Sequence, residues 1–177
     1  MKSWIVITLI AAGTAAAAAD EPPTGRTDGP EGSEVGRGGY PHYGTPGSLF
    51  IEPFFGAAAV DKQTDLIYGA KVGYMIKEWL GVQAGYGYIA GDQKSSIYSV
   101  GIRNVLQNEP FNWHLGLDAE LYSPDVGDSR FGIAPSVGAE VVITDMLRAG
   151  LQYQHDFIFA DDTISINRFT ARLQLKF

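Results

Sequence analysis

The chain of 177 residues contains no cysteine. That removes disulfides, thiolate metal sites, cysteine nucleophiles and a lipid anchor on cysteine. Histidine occurs three times only, at His42, His114 and His155, and none has a partner at metal-ligand spacing. No metal or cofactor is therefore expected. Long apolar runs are also missing. Trp4 to Ala19 alone approaches one, so a helical membrane protein is excluded. Charge is sparse at 19% and unbalanced, with a formal net charge of −7. An acidic chain of this kind is not expected to bind nucleic acid. Glycine, at 22 residues, and aromatics, at 12%, are abundant. Together they point to β-sheet with unusual packing demands.

The chain divides into three materials. Residues 1–19 combine Lys2, a short apolar core and Ala17-Ala18-Ala19 before Asp20. This pattern predicts a secretory signal peptide; a retained membrane anchor would need a longer apolar stretch. Residues 20–48 hold eight glycines and five prolines, with Val35 as the only aliphatic side chain. Such a segment cannot bury enough apolar surface to offset its ordering entropy, so a disordered tail is expected. Tyr40-Pro41-His42-Tyr43-Gly44 within it is read as part of that tail.

Residues 49–177 are interrupted at regular intervals by turn residues. The spacers are Asp61–Asp65, Lys77-Glu78, Gln107–Asn112, Ser123–Ser129, Thr144–Met146, Gly91–Ser95 and Ala160–Thr163. They separate eight segments of about 11 to 14 residues, the length of a tilted strand crossing a bilayer. Short connections imply antiparallel hairpins. Side chains alternate at period two. Leu80, Val82, Ala84, Tyr86 and Tyr88 share one face, against Gly81, Gln83, Gly85 and Gly87. Trp113, Leu115, Leu117, Ala119 and Leu121 oppose His114, Gly116, Asp118 and Glu120. Pro53 and Pro135 fall inside strands and predict bulges or edges. Parity changes near Ile164 and Ile166, suggesting a bulge or the end of the membrane band.

Alternation fits either a soluble lipocalin-like periplasmic barrel or its inverse, with the apolar face outward. Three features favour the inverse. The polar face is mostly Gly, Ser, Gln and single charges, which suits a crowded eight-stranded lumen. Aromatics collect towards strand ends: Tyr74, Trp79, Trp113 and Phe177 at one rim, Tyr88, Tyr98, Phe131, Phe157 and Phe159 at the other. Two girdles are expected of a transmembrane barrel. Finally, the last apolar position is an aromatic, Phe177. The reading is an all-β, eight-stranded antiparallel up-and-down transmembrane β-barrel.

The closing segment, with Phe169, Leu173, Leu175 and Phe177 alternating with polar residues, resembles the C-terminal signal of bacterial outer-membrane barrels. The likeness to OmpA/OmpX-type small barrels covers about residues 49–177. It implies recognition by the barrel-assembly machinery, contact with outer-membrane lipid and lipopolysaccharide, a monomer, and periplasmic N- and C-termini. A structural or surface-interaction role is then expected.

Away from the strand ends, ten charges fall on the inward parity: Glu52, Asp118, Glu120, Glu140 and Asp156 against Lys71, Arg103, Arg148, Arg168 and Arg172. Buried charges must be paired. A lumen closed by ion pairs follows, at most a narrow ion pore. Glu52 with Arg172, and Glu120, Asp156 and Arg168, are expected to meet. The alternative is a lipid A-modifying enzyme. Lipid A deacylases are similar barrels carrying a lipid-facing His-x-Ser pair and an acid on the next strand. Here His155 is on the lipid-facing parity, but position 157 is Phe. Ser165 is the nearest candidate nucleophile and Asn167 the residue opposite His155. No acid shares that face, so the enzyme reading ranks second.

Overall fold

The computed structural model describes residues 46–60, 63–91, 94–106, 111–144, 146–160 and 163–177. The expected signal peptide and nearly all of the expected tail lie outside the described residues. Eight strands follow one another: β1 (Leu49–Val60), β2 (Gln63–Lys77), β3 (Leu80–Ala90), β4 (Ser95–Leu106), β5 (Phe111–Pro124), β6 (Arg130–Val142), β7 (Leu147–Ile158) and β8 (Ile164–Lys176). Each pairs antiparallel with its neighbours, and β8 pairs with β1 to close the barrel. Among the described residues the closure extends beyond the strands. Gly47 N donates to Met75 O at 2.8 Å, and Leu49 and Phe177 exchange backbone bonds of 2.9 and 3.2 Å.

The stagger follows from the register. Moving strand to strand from Ala58, the paired residues are Arg168, Gln154, Ser136, Gly116, Arg103, Gly81 and Met75. Met75 then bonds Ser48, ten residues before the start. A shear of ten over eight strands sets a strand tilt of about 40° and a radius of about 8 Å. Such an interior is filled by side chains rather than water.

The faces are inverted relative to a soluble barrel. Val100, Phe131, Leu151 and Phe169 on the outside are 62–72% exposed, whereas Glu52, Arg103 and Arg148 inside are 1% exposed. Water would meet the apolar face of this sheet, so the lipocalin-like alternative is excluded and the outer surface belongs in lipid. Tyrosines pair across strands on that surface, Tyr68 with Tyr88 at 5.7 Å and Tyr86 with Tyr98 at 5.3 Å between ring centroids.

At both places where a bulge is one of the expected outcomes, no bulge forms. Neither proline makes a bulge. The β1–β8 pairs pass from Ile51↔Leu175 to Phe54↔Arg172, and the β6–β7 pairs from Ile133↔Phe157 to Ser136↔Gln154, each without a shift. Pairing lapses on one side of each proline and continues on the other, with β2 and β5. A missing donor thus interrupts one seam but does not displace the strand. The register shift in the structure lies instead between Met75 and Lys77, at the β2–β3 turn. Nor does β8 slip at Ile164 and Ile166: the pairs Ile158↔Ile164 and Asp156↔Ile166 continue the register. Ile166 points inward and is fully buried.

Inward glycines make room for long neighbours. A Cβ on Gly138 would stand 2.0 Å from His114 Cε1 and 2.5 Å from the Leu151 carbonyl oxygen. Gly138→Leu should therefore lower barrel stability by about 1–3 kcal/mol, read as a shifted urea midpoint in detergent micelles. The outward neighbour substitution Ala139→Leu should leave the midpoint nearly unchanged. Equal losses at both positions would contradict this assignment of faces.

Candidate functional site

The ten inward charges are all buried, between 0% and 5% exposed. Alternation puts each on the luminal face, and the shear brings residues of distant strands to one level. They form three groups along the axis. Nearest the end at which β1 begins and β8 finishes, Arg103 on β4 holds Glu52 on β1 with both terminal guanidinium nitrogens, at 2.6 and 2.8 Å. Arg103 Nη1 also donates to Gln174 Oε1 at 3.0 Å. Arg172 bridges Glu52 at 3.1 Å and Glu140 at 2.8 Å, and donates to His114 Nδ1 at 2.7 Å. Arg148 Nε lies 3.8 Å from Glu140 Oε1.

In the middle, Asp118 accepts from Lys71 Nζ and Gln83 Nε2, both at 2.8 Å. Higher up, Arg168 Nη2 donates to both Asp156, at 2.7 Å, and Glu120. Gln154 Nε2 also donates to Glu120 at 2.9 Å, and Gln152 donates to Gln154 at 2.9 Å. A small cavity lined by Glu52, Phe54, Lys71, Gln152, Gln154, Arg168 and Thr170 separates these groups, with room for about one water.

The expected contacts of Arg172 with Glu52, and of Arg168 with Glu120 and Asp156, are present. The two-toothed partner of Glu52, however, is Arg103, from across the lumen. Its identity depends on the shear, which no local segment reveals. The neutral partners Gln83, Gln152, Gln154, Gln174 and His114 were overlooked, although their inward parity could have indicated them.

Apolar layers also went unread. Phe54, level with the charges, continues upward into a buried luminal cluster with Ala58, Val60, Ile67, Ile89, Ile97, Tyr122, Ile158 and Ile166. Phe50, Met75 and Val105 form another at the opposite end, where the Phe50 ring lies 5.1 Å from the Arg103 guanidinium carbon. Apolar side chains thus fill the lumen at one end, and at the other they share it with Arg148 and Asn112. On the outer surface, Phe169, Leu173, Leu175 and Phe177 are exposed.

His155 lies outside the barrel on β7, opposite Asn167 on β8, while Ser165 is opposite Phe157. His155 Nδ1 is 2.7 Å from Asn167 Oδ1. Among the described residues its hydrogen-bond partner is Asn167, not Ser165. The Phe157 ring packs edge-on against the imidazole at 4.4 Å. No group of three or more His, Cys, Asp and Glu is arranged to hold a metal among the described residues.

A family profile described as "Outer membrane protein beta-barrel domain" matches residues 5–177. No curated protein matches the chain. Among solved structures, the chain is similar to the N-terminal β-barrel domain of Pseudomonas aeruginosa OprF, at 11% identity and a TM-score of 0.62, covering 75% of this chain and 98% of that one. It is similar to Neisserial surface protein A at 16% identity and a TM-score of 0.56, covering 73% and 96%. It also resembles a de novo designed transmembrane β-barrel at 16% identity and a TM-score of 0.53, covering 76% and 99%. At these identities the likeness concerns the fold.

Removing one member of a buried ion pair leaves an uncompensated charge and costs about 3–5 kcal/mol. Arg168→Met should have that effect, because Glu120 and Asp156 then face each other without their shared cation. Adding Glu120→Gln and Asp156→Asn should recover much of the loss. Urea-unfolding midpoints of the single and triple variants check this; equal destabilisation in both would contradict the pairing.

Proposed function

Because the chain belongs to the outer-membrane β-barrel family, we propose that it is a sealed barrel with a structural or surface-interaction role in that membrane. One observation carries the reading: the luminal charges are all engaged with one another, and buried apolar clusters occupy the lumen towards each end. A hydrated ion would have to shed water against Ile67, Ile97 and Ile166 at one end, or pass Phe50, Met75 and Val105 beside Arg148 at the other. Narrow apolar constrictions oppose wetting. The paired charges beyond them would offer an ion no free site.

The remaining features are read in the same frame. Residues 1–19 direct export and are removed, and the segment from residue 20 is a periplasmic tail that ends before Gly47 and Ser48, which are bonded to Met75 of the barrel. Both termini are periplasmic, so the β1–β2, β3–β4, β5–β6 and β7–β8 connections face outward. Phe169, Leu173, Leu175 and Phe177 present an alternating apolar edge to the barrel-assembly machinery. The closed sheet has no free edge to pair with a second copy, which supports a monomer. Lipid and lipopolysaccharide are its surroundings.

Catalysis is not part of this reading. His155 is oriented by Asn167, as a catalytic base would need. Phe157, however, occupies the place at which a lipid A deacylase carries serine, and among the described residues no carboxylate lies on that face of β7 and β8.

Planar-bilayer recordings should show no conductance steps for the wild type or for Arg172→Ala. Regular steps in the wild type would overturn the seal. Mass spectrometry of lipid A from cells with and without the protein should show identical acylation; loss of one acyl chain would restore the enzyme reading.

A further inference from the structure

The outer surface of β7 and β8 carries a polar group that the seal does not use. Tyr153 Oη donates to Asn167 Oδ1 at 2.7 Å, and His155 Nδ1 lies 2.7 Å from the same oxygen. With both bonds on that oxygen, the neutral imidazole carries its proton on Nδ1 and leaves Nε2 as an acceptor. The amide nitrogen of Asn167 keeps two N–H donors. Ser165 adds an exposed hydroxyl on the same face. Polar groups aimed at hydrocarbon without partners are costly, so this cluster calls for a polar occupant.

Its surroundings narrow the choice. The Tyr153 and Phe169 rings pack at 4.8 Å, and Phe157 packs against His155 at 4.4 Å. On the other side of Asn167 and Phe169 stand Ala59 and Ala57 of β1, too small to cover the amide. The result is a shallow notch, with a donor and an acceptor side by side between aromatic walls. Its depth is also defined. His155 is three residues from Ile158, where β7 ends, or about 8 Å below the strand tip at this tilt. That places the cluster towards the end of the strand, where a transmembrane barrel meets the interfacial region. Among the described residues no lysine or arginine belongs to the cluster.

We propose that Tyr153, His155, Asn167 and Ser165 form a binding site for the sugar headgroup of an outer-leaflet glycolipid. Asn167 Nδ2 donates to a hydroxyl or amide oxygen, His155 Nε2 accepts from a hydroxyl or amide N–H, and the rings stack against the sugar. The assignment to the outer leaflet rests on the proposed orientation, with the β7–β8 connection outside.

The test uses the full chain folded in detergent, titrated with lipid A or with phosphatidylethanolamine and followed by native mass spectrometry. Lipid A should be retained at least fivefold more strongly. His155→Phe and Asn167→Leu should abolish the preference while keeping heat-modifiable gel migration, the sign of a folded barrel. The Asn167 side-chain amide resonances should shift with lipid A and not with phosphatidylethanolamine. No preference in the wild type, or a preference unchanged in both variants, overturns the site. Orientation is read separately. The chain has no cysteine, so Thr163→Cys provides a single thiol for a membrane-impermeant maleimide. Labelling on intact cells supports the orientation; labelling only after permeabilisation overturns it and the leaflet assignment, while the binding measurement in detergent still decides the site.

Discussion

Lipid offers the backbone no hydrogen-bond partner, and the architecture of this chain follows from that constraint. Every strand must be paired on both sides, so β8 must return to β1. With eight strands and a stagger of ten residues, closure leaves a lumen about 8 Å in radius. The volume is too small for a water-filled pore and too large for backbone alone. Glycines admit long neighbours at some positions, and arginines and glutamates span the space at others. The glycine content that stands out in the composition is thus a packing requirement of a closed ring.

The same closure explains the form of luminal electrostatics. Charges inside so narrow a space cannot be hydrated individually, so their stability rests on each other. The five acids and five bases balance, but they do so only over the whole lumen. Arg168 faces two carboxylates, whereas Arg103, Arg148 and Arg172 share Glu52 and Glu140. Glutamines and His114 extend the network without adding charge. At one end the network gives way to a large apolar cluster, and at the other Phe50, Met75 and Val105 pack beside it, which limits the access of bulk water to those bonds.

Much of this was legible in the residues, for a physical reason. A strand has period two, so one glance at Leu80 to Tyr88 separates its faces, and the ten inward charges can be identified without a structure. Legibility ended where both faces are apolar. Ile164 and Ile166 looked like a slip in register because alternation cannot distinguish an apolar luminal layer from a lipid-facing one. The prolines misled in another way: losing one donor is tolerable when the partner strand on the other side remains bonded. Pairing across the lumen was the hardest to read. Glu52 and Arg103 are joined by the shear of the closed sheet, a global quantity that no hairpin carries.

The ion pairs also bear on how such a barrel can form. Glu52 and Arg103 belong to β1 and β4, Lys71 and Asp118 to β2 and β5, and Glu120 and Arg168 to β5 and β8. None of these pairs lies within one hairpin. Arg168 with Asp156, and Arg148 with Glu140, can pair within one hairpin, but Glu52, Arg103, Lys71, Asp118 and Glu120 gain their counterions only as distant strands meet. Intermediates are thereby penalised relative to the closed state. Membrane insertion and ring closure should then occur as one cooperative event, with the electrostatics acting as a latch that engages last.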